Sequence, residues 1–79
     1  MTEVVKFLVD NLVENKDAVS IEEKTDNEGL FLHVFVAPDD LGRVVGKGGK
    51  VANSIRTIAR SVGNHNHIRV TVKFDSKEE

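Results

Sequence analysis

The segment 41-LGRVVGKGGKVANSIRTIAR-60 holds four of the chain's six glycines and five of its eleven basic residues. Val44 and Val45 lead into Gly46-Lys47-Gly48-Gly49, and an amphipathic pattern follows without a gap. Val51, Ala52, Ile55, Ile58, Ala59 and Val62 share one stripe at helical spacing. That stripe predicts a helix over 50–62, with Gly63 as the residue that ends it. A corner between two helices needs one glycine for a positive φ. Here three of four positions are glycine and the exception is a lysine, which points to a second backbone coming close. Amides at the start of helix 50–62, helped by the helix dipole, would face a phosphate.

Spacing decides which phosphate loop this can be. A Walker A loop has four residues between its glycines and a hydroxyl residue after its lysine. Gly42 and Gly46 bracket only three residues, and Gly48 follows Lys47. A dinucleotide fingerprint needs a glycine three residues after the second one and directly follows a strand. Position 51 is valine, and the loop follows a short helical stretch. Both readings fail. What remains is Gly-X-X-Gly between two short helices, which resembles the loop of a KH domain, and that resemblance implies a clamp on about four nucleotides of backbone.

Working outward, Val4, Val5, Leu8, Val9 and Leu12 recur at helical spacing and predict a helix from Glu3 to Glu14 with Thr2 as its cap. Val19 and Ile21 alternate with polar residues in a strand over about 18–25, and Asp26-Asn27-Glu28-Gly29 is turn chemistry. The run LFLHVFVA, 30–37, is apolar throughout except for His33 and reads as a strand buried on both sides, or a central strand, rather than an edge. Pro38, Asp39 and Asp40 mark a short helix start. HIRVTVKF, 67–74, alternates as a strand with one buried face. The order is αββααβ. Strands 30–37 and 67–74, joined by a helical crossover, should run parallel, and the first two should pair antiparallel. The fold class is therefore α+β, a three-stranded mixed sheet with three helices on one face.

Seventy-nine residues make one domain, with an ordered core over about 2–74 and an acidic tail, 75–79. Cysteine is absent, which excludes disulfides and thiolate metal sites and fits a reducing compartment. No apolar run reaches the roughly 18 residues of a membrane span, and the acidic N-terminus has no targeting pattern. A cytoplasmic protein is expected. The net charge of −2 conceals segregation: residues 1–40 hold ten acids and three lysines, whereas 41–74 hold seven basic residues and no acid. Such a segment suits an anionic partner. Arg56 and Arg60 share a helix face that either meets nucleic acid or only solvent, and Arg69 and Lys73 point to solvent. His65 and His67 have no third ligand nearby for a metal, and His33 has no nucleophile or base to pair with. No catalytic constellation and no cofactor loop is present.

The residues 44-VVGKGGKVANSI-55 resemble the KH signature of two branched apolar residues, GXXG and a helix with apolar residues at fixed offsets. The αββααβ order is that of the type II KH fold. Together with VAPDDLGRVVGKGGK and SIRTIAR, the chain is similar over about 2–74 to the small bacterial single-KH-domain proteins of the KhpA family. The resemblance implies a non-catalytic RNA-binding protein in post-transcriptional regulation. Gly46, Lys47, Gly48 and Gly49 would be the clamp, flanked by Arg43 and Lys50 at the phosphates. Val44, Val45, Ala52 and Ile55 would stand partly in the core and partly on the groove floor, with Arg56 beside them. Ala52 departs from the larger aliphatic residue common there. Without Tyr or Trp, stacking on aromatics is not the expected mode. Single-stranded RNA is the implied ligand, with single-stranded DNA a second candidate. A homodimer and a heterodimer with a larger KhpB-like protein are the implied assemblies, and no membrane is involved. A KH fold serving mainly for dimerisation or docking is the competing reading.

Overall fold

The computed structural model describes residues 1–77, and the last two positions of the acidic tail lie outside it. Three α-helices, α1 (Thr2–Asp10), α2 (Leu41–Val45) and α3 (Lys50–His65), and three strands, β1 (Ser20–Asp26), β2 (Gly29–Val36) and β3 (Val70–Ser76), follow one another as αββααβ. Short 3-10 turns at Lys16–Ala18, Pro38–Asp40 and Lys47–Gly49 join them. The sheet order is β1-β2-β3, antiparallel across β1/β2 and parallel across β2/β3. This is the expected α+β arrangement with β2 at the centre.

Alternation in β2 sets the core. Leu30, Leu32, Val34 and Val36 are buried toward the helices, in register with Val70, Val72 and Phe74 of β3. Val5 and Val9 of α1, Val13, Val44 of α2, and Ile55 and Ala59 of α3 close over them. Each fully buried Val or Leu contributes on the order of 1.5–3 kcal/mol over exposure, and six Val and Leu side chains here are below 2 % exposed.

Three expectations are refined. Of the two readings of β2, the central position holds and burial on both faces does not: all the helices lie on one side, and Phe31, His33 and Phe35 line the open one, with Phe31 36 % exposed. The continuous apolar run arises because phenylalanine occupies positions that an ordinary antiparallel strand gives to polar residues. Helix α1 stops at Asp10, where the Asn11 side-chain amide takes the Phe7 carbonyl and tightens the end. Its start has no side-chain cap, because the Thr2 hydroxyl donates instead to Glu23 of β1, 3.0 Å away.

The third change is at the end of α3. Gly63 lies inside the helix and is buried; a Cβ there would stand 2.6 Å from the Ile68 carbonyl oxygen and 2.6 Å from Val70 Cγ2. Its role is close approach to the chain entering β3. The left-handed position falls to His67, φ +59°. The amides of His67 and Ile68 donate to Asn64 and Gly63 at 3.1 and 2.8 Å, which makes a Schellman ending with histidine in the glycine place. Strand β3 also runs to Ser76, into the sequence read as tail, and the Lys77 amide bonds Val36 O at 2.8 Å.

Candidate nucleic-acid interface

Helix α2 has only five residues, too few to stand alone. Val44, fully buried, anchors it to the core, and an ion-pair network fixes its entry. Asp40, 1 % exposed, accepts from the amides of Glu14 (3.1 Å) and Asn15 (3.0 Å), so it closes the end of the α1 region rather than capping α2. Those two amides, that of Asn15 foremost, and then the Arg43 guanidinium hold its carboxyl below the ordinary aspartate value, against the opposing effect of burial. Arg43 donates to Asp39 O (3.0 Å), Asp40 Oδ1 (3.0 Å) and Glu14 Oε1 (2.8 Å). Expected at the phosphates, it is engaged with its own chain.

After Val45 the chain turns through Gly46 (φ 76°, ψ 171°), Gly48 (φ 65°) and Gly49 (φ 78°). The two outer glycines have different surroundings from the inner one. A Cβ on Gly46 would sit 2.5 Å from Val51 Cγ2 and 2.9 Å from the Val51 amide nitrogen, and one on Gly49 would lie 3.8 Å from Asn53 Nδ2. A Cβ on Gly48 would meet nothing within 4 Å. Lys47, Gly48 and Lys50 are exposed. The first amides of a helical turn have no partner within it, and among the described residues those of Lys47 and Gly48 find none in other parts of the backbone. The tip of the loop therefore presents two amide donors and a lysine to solvent, with no side chain over Gly48.

Of the apolar site residues, Val44, Ala52 and Ile55 are 0, 3 and 4 % exposed and belong to the core; Val45 is half-buried. Beyond the loop, Asn53, Arg56 and Arg60 share one face of α3. Arg56 spans from that face to the edge strand: Nε donates to Val72 O and Nη1 to Asn53 Oδ1, both at 3.0 Å, and the guanidinium lies 5.6 Å from the Phe74 ring centre. Arg60 and Arg69, on α3 and at the start of the approach to β3, line a single cleft of about 530 Å³ with Asn64, His67 and Thr71. Sequence reading had no signal for this meeting, which depends on where α3 ends against β3. Among the described residues no three His, Cys, Asp or Glu side chains gather as metal ligands, and no helix is long and apolar enough to cross a membrane.

A solved chain of Aquifex aeolicus Era, bound to GDP·AlF4−, shares the fold with a TM-score of 0.61 at 18 % identity, over 95 % of this chain and 29 % of that one. In sequence the chain is 37 % identical to an RNA-binding protein KhpA of Caldanaerobacter subterraneus subsp. tengcongensis, over 94 % of this chain and 99 % of that protein. It is 39 % identical to the RNA-binding protein KhpA of Mycobacterium bovis, over 91 % of this chain and 89 % of that one. The family model for the KhpA/KhpB KH domain matches residues 2–74. From the loop outward, in fold and along nearly its whole length, the chain belongs to the KhpA/KhpB KH-domain family.

Proposed function

We propose that the protein binds short single-stranded RNA without catalysing a reaction, gripping its backbone at Gly46–Gly49. The observation that carries this is the loop tip, where the unpartnered amides of Lys47 and Gly48 and open space over Gly48 adjoin the exposed lysines 47 and 50. The relatives named as RNA-binding proteins support it. Amides and the lysine charge hold phosphates, and Val45 and the Asn53–Arg56 face of α3 border the bases. A clamp on about four nucleotides binds weakly, and linking modules multiplies apparent affinity. We therefore place the protein in post-transcriptional regulation in the cytoplasm, as a homodimer or with a KhpB-like partner, with single-stranded DNA as a weaker competitor. A docking role for the fold draws on exposed Phe7 (67 %) and Ile58 (42 %), which offer apolar surface on α1 and α3.

The test is the double substitution Lys47→Asp, Gly48→Asp. Nothing lies within 4 Å of a Cβ at position 48, and aspartate tolerates a left-handed φ, so the variant keeps its fold by circular dichroism. In a low-salt anisotropy titration with a labelled four-nucleotide RNA it loses binding. Unchanged affinity removes the clamp assignment and leaves the docking role.

A further inference from the structure

Every second residue of a strand shares a face, and on the open side of the sheet β2 presents Phe31, His33 and Phe35 in a row. The His33 ring lies against Phe35, with centres 4.1 Å apart and planes 30° apart. The register sets Lys24 and Thr71 on either side of Phe31, and Glu22 and Lys73 on either side of His33. A depression of about 460 Å³ covers this part of the face, lined by Lys24, Phe31, His33, Thr71 and Lys73 among others. Thr71 also lines the Arg60–Arg69 cleft. Donors thus run from the open face around the β3 edge to α3, the helix that starts at the loop.

We propose that this face is a stacking platform for a second stretch of the single-stranded RNA held by the loop. Bases lie on Phe31 and on the His33–Phe35 pair, and phosphates track Arg69 and Lys73. The identity of the ligand rests on the reading of the loop; the platform itself does not.

Three physical arguments favour nucleic acid here. The face is aromatic where the helix side of the same strand is aliphatic, and flat rings stack on any base. Charge divides across it: Arg69 just before β3, then Thr71 and Lys73 within it, precede the first acid, Asp75, whereas on β1 Glu22 and Asp26 outnumber Lys24. A phosphate chain is drawn to the β3 side and its bases turn inward onto β2. Asp75, whose Oδ2 lies 3.6 Å from His33 Nε2, closes the platform at the Phe35 end. Size is the third argument. Three strands about 4.8 Å apart and about seven residues long cover roughly 300–350 Å². A stable protein interface needs about 800 Å² from each partner, while a four-stranded RNA-binding sheet bearing aromatic rings seats two or three bases.

The experiment uses the full chain and fluorescein-labelled oligouridylates of four and twelve nucleotides in low-salt anisotropy titrations. Wild-type protein binds the twelve-mer more tightly than the four-mer. Phe31→Ala weakens twelve-mer binding roughly tenfold and leaves the four-mer within twofold. Phe31→Leu keeps the apolar bulk and the folding midpoint but removes the ring, and it shows the same selective loss. A twelve-mer carrying 4-thiouridine crosslinks to the tryptic peptide 25–43, which contains Phe31 and His33. Wild-type affinity of both Phe31 variants for the twelve-mer overturns the proposal. So does a change in sedimenting mass with RNA binding intact, which marks the face as a protein surface. If Phe31→Leu loses the twelve-mer while the Lys47→Asp, Gly48→Asp variant binds as wild type, the platform stands and the clamp falls.

Discussion

Gly46 and Gly48 sit two residues apart in one loop, and replacing each with alanine should separate what the fold requires from what the ligand requires. At Gly46, φ 76° with ψ 171° is a region open essentially to glycine alone, costing about 1–3 kcal/mol for another residue. The new methyl also stands 2.5 Å from Val51 Cγ2 and 2.9 Å from the Val51 amide nitrogen, so α3 must shift at its first turn. Forced overpacking of this kind adds about 1–3 kcal/mol, for a total of about 2–6 kcal/mol. At Gly48, φ 65° and ψ 18° is ordinary left-handed space and the methyl meets nothing, so the cost is about 1 kcal/mol. A domain of this size shifts its melting midpoint by about 4–8 °C per kcal/mol. Gly46→Ala should thus melt at least about 8 °C lower, and Gly48→Ala about 4–8 °C lower. With no Trp or Tyr in the chain, far-UV circular dichroism during heating is the suitable probe. RNA binding should fall in Gly48→Ala out of proportion to its small stability loss. Equal destabilisation by the two substitutions, or a Gly48→Ala protein that binds as wild type, refutes the reasoning.

Asp40, with its folded-state pKa lowered by the Asn15 and Glu14 amides and by Arg43, stabilises the fold above its unfolded value of about 3.9. That contribution disappears as pH falls through the depressed folded value, so Asp40→Asn should lower the melting midpoint at pH 7 and flatten its fall toward pH 3. Parallel pH curves for variant and wild type would count against the network. His67→Gly should raise stability by about 0.5–1 kcal/mol in urea denaturation, because φ +59° disfavours a side chain. A loss there would mean that the histidine makes a compensating contact.

How much of this was legible in sequence follows from whether the deciding partners are near or far along the chain. The loop was legible because GXXG is a local feature: spacing alone dismissed the nucleotide loops, and Gly46, Gly48 and Gly49 all take a positive φ where a simple corner needs one. Sheet order followed from a turn of four residues and a crossover. Burial of one β2 face only was not legible, since an apolar run does not reveal how many layers cover it. Gly63 looks like a helix stop in any local window, and only Ile68 and Val70 folding back over it show otherwise. The engagement of Arg43 depends on Glu14, 29 residues earlier, and on a carboxylate whose burial no pattern announces.

That last residue bears on how the loop works. Two roles for Arg43 differ in a measurable way. As a phosphate contact, its removal would lower the dependence of log K on log salt by about 0.7, the value for one phosphate on a single strand. As a positioning residue, its removal would loosen α2 and reduce affinity without changing that slope. Both guanidinium Nη atoms are within 3.0 Å of acceptors on the same chain, and one partner is the carboxylate that ties down Glu14 and Asn15. A phosphate would have to break that network, whereas Lys47 and Lys50 are exposed and form no ion pair among the described residues. Arg43→Gln is therefore expected to weaken RNA binding with the salt slope unchanged and the melting midpoint lowered. Lys47→Gln should cut the slope by about 0.7 at constant midpoint. The opposite pattern would assign Arg43 to the ligand. The expected pattern makes α2 a short bracket, fastened at Val44 and Arg43, that holds Gly46–Gly49 in place before any RNA arrives.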